Sequence, residues 1–105
     1  MKLQTFLSIT FILLIIAVFS SATEKQEICE TCRGVFDIAK KFHKRRKPFT
    51  PYQITQEVSA ICMIYPTADI QSKCREMSSI IPTFINYIDR DVEPYRGCLE
   101  MGYCH

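Results

Sequence analysis

The chain has 105 residues, with 13 Lys and Arg against 11 Asp and Glu, a net charge of +2, and 48% hydrophobic residues. This length holds one small domain, whose hydrophobic core alone would be marginal without covalent staples. The modest charge argues against a function that depends on bulk cationic attraction alone.

The first 22 residues have the pattern of a secretory signal peptide. Lys2 gives a positive start, an apolar run covers residues 7–19, and Ser20, Ser21 and Ala22 supply small residues for cleavage. The run is shorter than the ~20 residues of a membrane-spanning helix, although an uncleaved anchor is the alternative. We therefore expect a signal peptide at 1–22 and one soluble, secreted domain at 23–105, with a net charge of +1 because Lys2 is lost.

Six cysteines lie in three pairs along the predicted domain. An opening pair, a central pair and a closing pair suggest a nested pattern, with the ends stapled together and the middle separately clipped. A redox Cys-x-x-Cys or half of a zinc site is the alternative, but a short secreted chain favours a disulfide framework. Six cysteines allow 15 connectivities, and spacing alone does not select one. The pairs are Cys29 and Cys32, Cys62 and Cys74, and Cys98 and Cys104.

Helical spacing of apolar residues begins at Ile28 and predicts a first helix that Pro48 stops. The end of this helix reads KKFHKRRK, with six basic residues within 40–47. A solvated helix end is the plain interpretation, and nucleic acid is disfavoured by the signal peptide. An anionic membrane surface is the better functional interpretation, because clustered Lys and Arg are attracted to acidic lipid. The candidate contacts are Lys40, Lys41, Lys44, Arg45, Arg46 and Lys47.

Prolines and capping residues divide the rest of the domain into further helices. Thr50 and Pro51 predict a helix start, and Pro66 its end, with Thr67 capping the next helix. Pro82 predicts either a bend or a split into two helices. A short last helix is expected to start at Pro94 and to stop at Gly102. Alternating strand patterns are absent, so the predicted fold is all-α with four or five helices.

The sequence offers no catalytic motif and no metal-ligand cluster, so we expect a protein that is not an enzyme and needs no metal or cofactor. His43 and His105 lie far apart in sequence. Each is a surface residue on the plain interpretation, and an acid-sensitive switch on the functional one, because histidine titrates near neutral pH. Met63, Met77 and Met101 are expected to serve packing, with the flexibility for an adaptable lipid contact.

The cysteine spacing resembles that of the saposin-like (saposin B-type) family. Gaps of 29, 11, 23 and 5 residues follow Cys-x-x-Cys, and Pro94 stands four residues before the fifth cysteine. The ending Cys98-x-x-Met101-Gly102-x-Cys104 and the run from Met77 to Ile88 are also similar to the family. The resemblance covers residues 28–104. It implies a compact five-helix fold with bridges Cys29–Cys104, Cys32–Cys98 and Cys62–Cys74.

Members of that family bind or perturb lipids, so the resemblance implies a lipid-binding protein. A single domain without a glycosylation acceptor looks most like the antimicrobial members of amoebapore, NK-lysin and caenopore type. We therefore expect a secreted defence or digestive protein, possible homo-oligomers on membranes and no nucleic-acid partner. It would act outside the cell or in an acidic digestive, lysosomal-type compartment. The alternatives are a non-lytic carrier that presents lipid to a hydrolase and a domain with only a protein partner.

Apolar stripes on the predicted helices supply the candidates for lipid contact. A thin two-layer fold cannot hide every such stripe, although about half of these residues are expected to form the core of the monomer. Opening between the clipped hairpin and the stapled ends would expose the set. It consists of Ile54, Ile61, Ile64, Ile81, Phe84, Ile85 and Ile88.

Overall fold

A computed structural model describes residues 24–105, which form five helices and contain no strand. The expected signal peptide at 1–22 lies outside these residues. The helices are α1 (24–43), α2 (Pro51–Cys62), α3 (Ala68–Ser78), α4 (Ile81–Asp89) and α5 (Pro94–Glu100). The prediction of an all-α fold with four or five helices is confirmed, and the arrangement is consistent with a saposin-like fold.

The helix starts follow the local signals in the sequence. The Thr50 hydroxyl accepts a hydrogen bond from the Gln53 amide at 3.2 Å, and the Gln53 side chain accepts one from the Thr50 amide at 2.9 Å. This capping box satisfies two amides that the first turn of α2 leaves unpaired. Thr67 caps α3 with a single hydrogen bond, its hydroxyl accepting from the Ile70 amide at 3.3 Å.

Pro82 separates two helices. It lies in the first turn of α4, where the absence of an N–H costs nothing, and α3 has already ended at Ser78. Pro94 starts α5 as predicted, and Gly102 follows it with a φ of +86°, a conformation that glycine adopts without strain. These breaks let the chain fold back on itself within a few residues.

Two predicted helix ends are wrong. The first helix ends at residue 43 and not at Pro48, because the chain reverses and the Phe49 amide donates to the Phe42 carbonyl at 3.1 Å. The second ends at Cys62 and not at Pro66. Its last turn is tightened by a bond from the Ile64 amide to the Ile61 carbonyl, as is common at helix ends.

The core lies between the helices and consists mainly of aliphatic side chains, aromatic rings and half-cystines. Phe36 of α1 and Phe84 of α4 meet edge to face, with ring centroids 5.7 Å apart. Gly97 of α5 lies against this pair, and a Cβ at that position would be 2.6 Å from Cε2 of Phe36. The buried hydrophobic residues are Cys32, Val35, Phe36, Ala39, Ile54, Val58, Cys62, Ile70, Cys74, Met77, Ile81, Phe84, Ile88, Cys98, Tyr103 and Cys104.

Three disulfides join the six cysteines, and no cysteine is free. Cys29–Cys104 and Cys32–Cys98 tie α1 to α5 and to the segment that follows it, while Cys62–Cys74 ties α2 to α3. These are the pairs that the family resemblance implied, and they indicate an oxidising environment. None of the three joins the α2–α3 hairpin to the rest of the domain.

Candidate functional site

The basic segment, defined as residues 40–47, lies at the carboxyl end of α1 and in the loop that follows. Its six Lys and Arg side chains are all exposed. The hydrogen bond from the Lys44 amide to the Lys40 carbonyl, at 3.0 Å, closes the last helical turn and brings the lysines of the helix next to the loop. Cations at this end of a helix are also stabilised by the helix dipole.

Two aromatic rings fix the base of this loop. Phe42 and Phe49 stack with centroids 4.6 Å apart and an interplanar angle of 15°. Both residues are partly buried against the core. The guanidinium carbon of Arg45 lies 5.5 Å from the Phe42 centroid and 5.3 Å from the Phe49 centroid, within the range of cation–π contacts. The basic residues therefore project from a loop whose ends are held together.

Acidic residues at the end of α4 offset part of this charge. Nε2 of His43 lies 2.8 Å from Oδ1 of Asp89, and Nζ of Lys44 lies 3.5 Å from Oδ1 of Asp91. Asp91 follows α4 in a left-handed conformation, with φ of +56°. The Lys44–Asp91 pair is largely exposed and the His43–Asp89 pair partly so, and each is worth about 1 kcal/mol or less. For the other five basic residues, no carboxylate in residues 24–105 lies within 4.0 Å.

The two candidate switch residues have different surroundings. His43 is half-buried, and its ring Nε2 lies within hydrogen-bond distance of Asp89 Oδ1, at 2.8 Å. His105 is exposed, and its backbone carbonyl accepts a hydrogen bond from the Tyr95 hydroxyl at 2.8 Å.

The apolar candidates divide into core and surface residues. Four of them are buried in the core: Ile54, Ile81, Phe84 and Ile88. Ile61 and Ile85 are half-buried. Ile64 is 79% exposed, and the neighbouring Met63, which the sequence analysis assigned to packing, is 78% exposed. In the closed domain, Met63 and Ile64 thus form an apolar tip on the α2–α3 connection.

The sequence pointed to Ile64 as a lipid-contact candidate, but it did not show that Met63 is exposed or that acidic residues lie beside the basic segment. Periodicity placed Ile61, Ile64 and Tyr65 on a continuing helix, so it gave no sign that residues 63 and 64 leave the core. His43 and Asp89 are 46 residues apart, and no local pattern joins them.

The described residues contain neither a cluster of His, Cys, Asp and Glu side chains able to hold a metal ion nor a helix long and apolar enough to cross a membrane. One buried ionisable group stands out. Burial, with a hydrogen bond and a charge from Glu76, raises the pKa of Tyr103 to about 12. Its hydroxyl donates to Oε1 of Glu76 at 3.1 Å, joining the closing cysteine segment to α3.

Comparisons with known protein families, curated proteins and solved structures gave no match. The function therefore has to be argued from the chain itself.

Proposed function

We propose that this chain is a secreted, saposin-like protein that binds anionic lipid membranes and permeabilises them, as an antimicrobial or digestive agent does. The observation that carries the proposal is the exposed basic segment at one end of a small helical domain that is held by disulfides. In this role it needs no catalytic group and no cofactor. The site of action is extracellular, or an acidic compartment of digestive type.

Attachment begins with electrostatic attraction. A Lys or Arg near an acidic membrane surface gains about 1 kcal/mol, so several unpaired cations within eight residues supply useful affinity despite the small net charge. They act together because the paired Phe42 and Phe49 hold the loop in one conformation. Asp89 and Asp91 reduce the attraction, and positive charge on His43 and His105 in acid increases it.

Permeabilisation requires more apolar surface than the closed domain offers. Met63 and Ile64 are exposed already. Ile54, Ile81, Phe84 and Ile88 become available if the α2–α3 hairpin moves away from α1, α4 and α5, a motion that breaks no disulfide. Contact with acyl chains offsets that exposure at about 25 cal/mol per Å² of apolar area. Opened molecules associate through the same surface into homo-oligomers on the membrane.

Dye release from vesicles tests this proposal. We expect leakage from phosphatidylglycerol vesicles at about pH 5, less at pH 7, and little from phosphatidylcholine vesicles. Replacing Lys44, Arg45, Arg46 and Lys47 by Gln is expected to weaken vesicle binding by on the order of a hundredfold or more. The far-ultraviolet circular dichroism spectrum should not change, because these exposed side chains contribute little to the core.

A matched variant controls for net charge. Replacing Lys25, Lys73, Arg75 and Arg96 by Gln removes the same charge from exposed positions elsewhere. If binding depends on the basic segment, this control loses much less affinity than the first variant. Equal losses would mean that only net charge matters, and unchanged binding in both would leave the segment as a solvated helix end.

A non-lytic lipid carrier that presents lipid to a hydrolase is the second candidate. The observation that favours it is the burial of four of the seven apolar candidates, which leaves little lytic surface on the closed domain. A surface depression of about 380 Å³, lined in part by Met63, Gln71 and Arg75, also offers a place for part of one acyl chain. Transfer of lipid between vesicles at pH 5 and pH 7 without release of dye would select the carrier.

A further inference from the structure

Within the basic segment, Arg45 differs from its neighbours in what holds its side chain. Its guanidinium carbon is nearly equidistant from the centroids of Phe42 and Phe49, at 5.5 and 5.3 Å. The guanidinium is therefore within cation–π range of both rings, which stack on each other with centroids 4.6 Å apart. The side chain nevertheless remains exposed.

The rings that hold Arg45 are themselves fixed. Phe42 lies in the last turn of α1, and the Phe49 amide donates to the Phe42 carbonyl at 3.1 Å. Both rings pack against the core on one side. The guanidinium is therefore already ordered in the unbound protein. Binding a ligand then costs less side-chain entropy than it would for a freely moving arginine.

The neighbouring basic residues are not both supported by an aromatic ring and free of a carboxylate partner. Lys44 is paired with Asp91, and His43 is paired with Asp89. Arg46 is exposed and contacts no ring among the described residues. Arg45 alone in the segment has an aromatic support and no carboxylate within 4.0 Å in residues 24–105.

We propose that Arg45 is the phosphate-binding residue of the basic segment and that its ligand is the phosphate group of an anionic phospholipid. The inference rests on the proposed membrane function. A guanidinium presents two parallel N–H donors to two phosphate oxygens, whereas a lysine ammonium acts as a point charge. The lysines of the segment therefore attract the membrane, and Arg45 makes the directional contact with one headgroup.

Two charge-conserving substitutions test the assignment. Arg45→Lys is expected to weaken binding to phosphatidylglycerol vesicles about fivefold, because it removes the held guanidinium and keeps the charge. Arg46→Lys is the matched control and should remain within about twofold of the wild type, since no ring orders that side chain. The difference should persist at raised salt, because screening weakens the shared long-range attraction more than a direct contact.

A double-mutant cycle tests whether the rings are responsible. Phe49→Leu should lower vesicle affinity toward that of Arg45→Lys, and combining the two changes should add little. Equal effects of Arg45→Lys and Arg46→Lys, or full additivity with Phe49→Leu, would overturn the inference. Circular dichroism and the thermal midpoint establish that each variant is folded.

An NMR titration separates this inference from the membrane proposal. The Nε–H resonances of Arg45 and Arg46 are followed while short-chain phosphatidylglycerol is added below its micelle concentration, and in a second titration inorganic phosphate is added. A saturable shift at Arg45 alone supports the assignment, even if the protein never releases dye or binds vesicles. A shift with lipid alone assigns the headgroup, and a shift with both assigns the phosphate group itself. No shift at Arg45, or equal shifts at both arginines, overturns it.

Discussion

The two ends of α1 are held in contrasting ways. Near its start, Cys29 and Cys32 are bonded to Cys104 and Cys98, and three of these four cysteines are buried, all but Cys29. At its other end, residues 43–47 are held by the His43–Asp89 hydrogen bond, the exposed Lys44–Asp91 ion pair and the stacked rings of Phe42 and Phe49. One helix thus joins an end fixed by disulfides to an end held only by noncovalent contacts.

This contrast separates stability from binding. We define the stapled end as Cys29, Cys32 and residues 94–104. It contains two of the disulfides, the close contact of Gly97 with Phe36, and the buried Tyr103. The basic end carries the exposed charge, and its sequence can change with little effect on the core. Substitutions at the stapled end should therefore change the free energy of unfolding, and substitutions at the basic end should change the affinity for lipid.

Removing the bridges of the stapled end should have the largest effect on stability. A bridge across a separation of 66 residues is worth about 4 kcal/mol in loop-entropy terms. The second nested bridge then closes a ring of about ten residues, worth about 3 kcal/mol. Serine at Cys29, Cys32, Cys98 and Cys104 should therefore unfold the domain in the absence of denaturant, given the usual stability of small domains.

The hairpin bridge provides the comparison. Cys62 and Cys74 are separated by 12 residues, so their replacement by serine should cost about 3 kcal/mol in loop entropy and leave a folded protein. Urea unfolding followed by circular dichroism measures both variants. If the hairpin variant were the less stable of the two, the stapled end would not be the main source of stability.

Gly97→Ala should cost about 1–3 kcal/mol, because the new methyl group would lie 2.6 Å from a ring atom of the fully buried Phe36. Gly34→Ala is the control, since no atom lies within 4 Å of the corresponding Cβ and alanine favours the helix by about 0.5–1 kcal/mol. The two substitutions should thus shift the urea midpoint in opposite directions. A shift of the same sign in both would show that the contact with Phe36 relaxes freely.

Alkali should destabilise the stapled end through Tyr103. The pKa of its hydroxyl is raised to about 12 in the folded protein, from about 10 in an unfolded chain. Because the folded state keeps this proton longer, the stability is complete below pH 10 and falls as the pH rises toward 12, by roughly 2 kcal/mol. Unfolding measured between pH 9 and 12 should show this loss.

Tyr103→Phe should flatten that pH dependence and cost about 1 kcal/mol at neutral pH, through the lost hydrogen bond to Glu76. Tyr52→Phe, at an exposed position of α2, should keep the alkaline loss. An unchanged alkaline slope in Tyr103→Phe would assign the loss to another group.

Features set by interactions within one helical turn could be predicted from the sequence, and features set by contacts between distant parts of the chain could not. Helix starts at Thr50, Thr67 and Pro94 were predicted because a cap or a proline acts within its own turn. The ends of α1 and α2, near residues 43 and 62, were not predicted. The first depends on Phe49 packing on Phe42, and the second depends on how the chain enters α3. The same limit applies to the apolar stripe, in which periodicity cannot separate the buried Ile54 from the exposed Ile64.

Removing the polar pairs of the basic end should have the smallest effect on stability. It should slightly lower the stability and at the same time strengthen membrane binding. Asp89→Asn and Asp91→Asn each weaken one surface pair, so each should lower the free energy of unfolding by at most about 1 kcal/mol. Both changes also remove a negative charge beside the basic segment. Binding to phosphatidylglycerol vesicles should therefore become several-fold tighter in each, approaching tenfold per charge at low salt.

Asp69→Asn is the matched control for this prediction. Asp69 is an exposed acid in the first turn of α3, beyond the end of α2 that is remote from the basic segment. Its replacement changes the net charge equally. The 12 residues of α2, about 18 Å of helix, separate it along the chain from the basic segment, and this is more than the screening length of about 10 Å at 0.1 M salt. Affinity should respond to Asp89 and Asp91 and scarcely to Asp69. If all three substitutions tighten binding equally, the membrane senses the net charge of the domain, and the weakly held end has no special part in attachment.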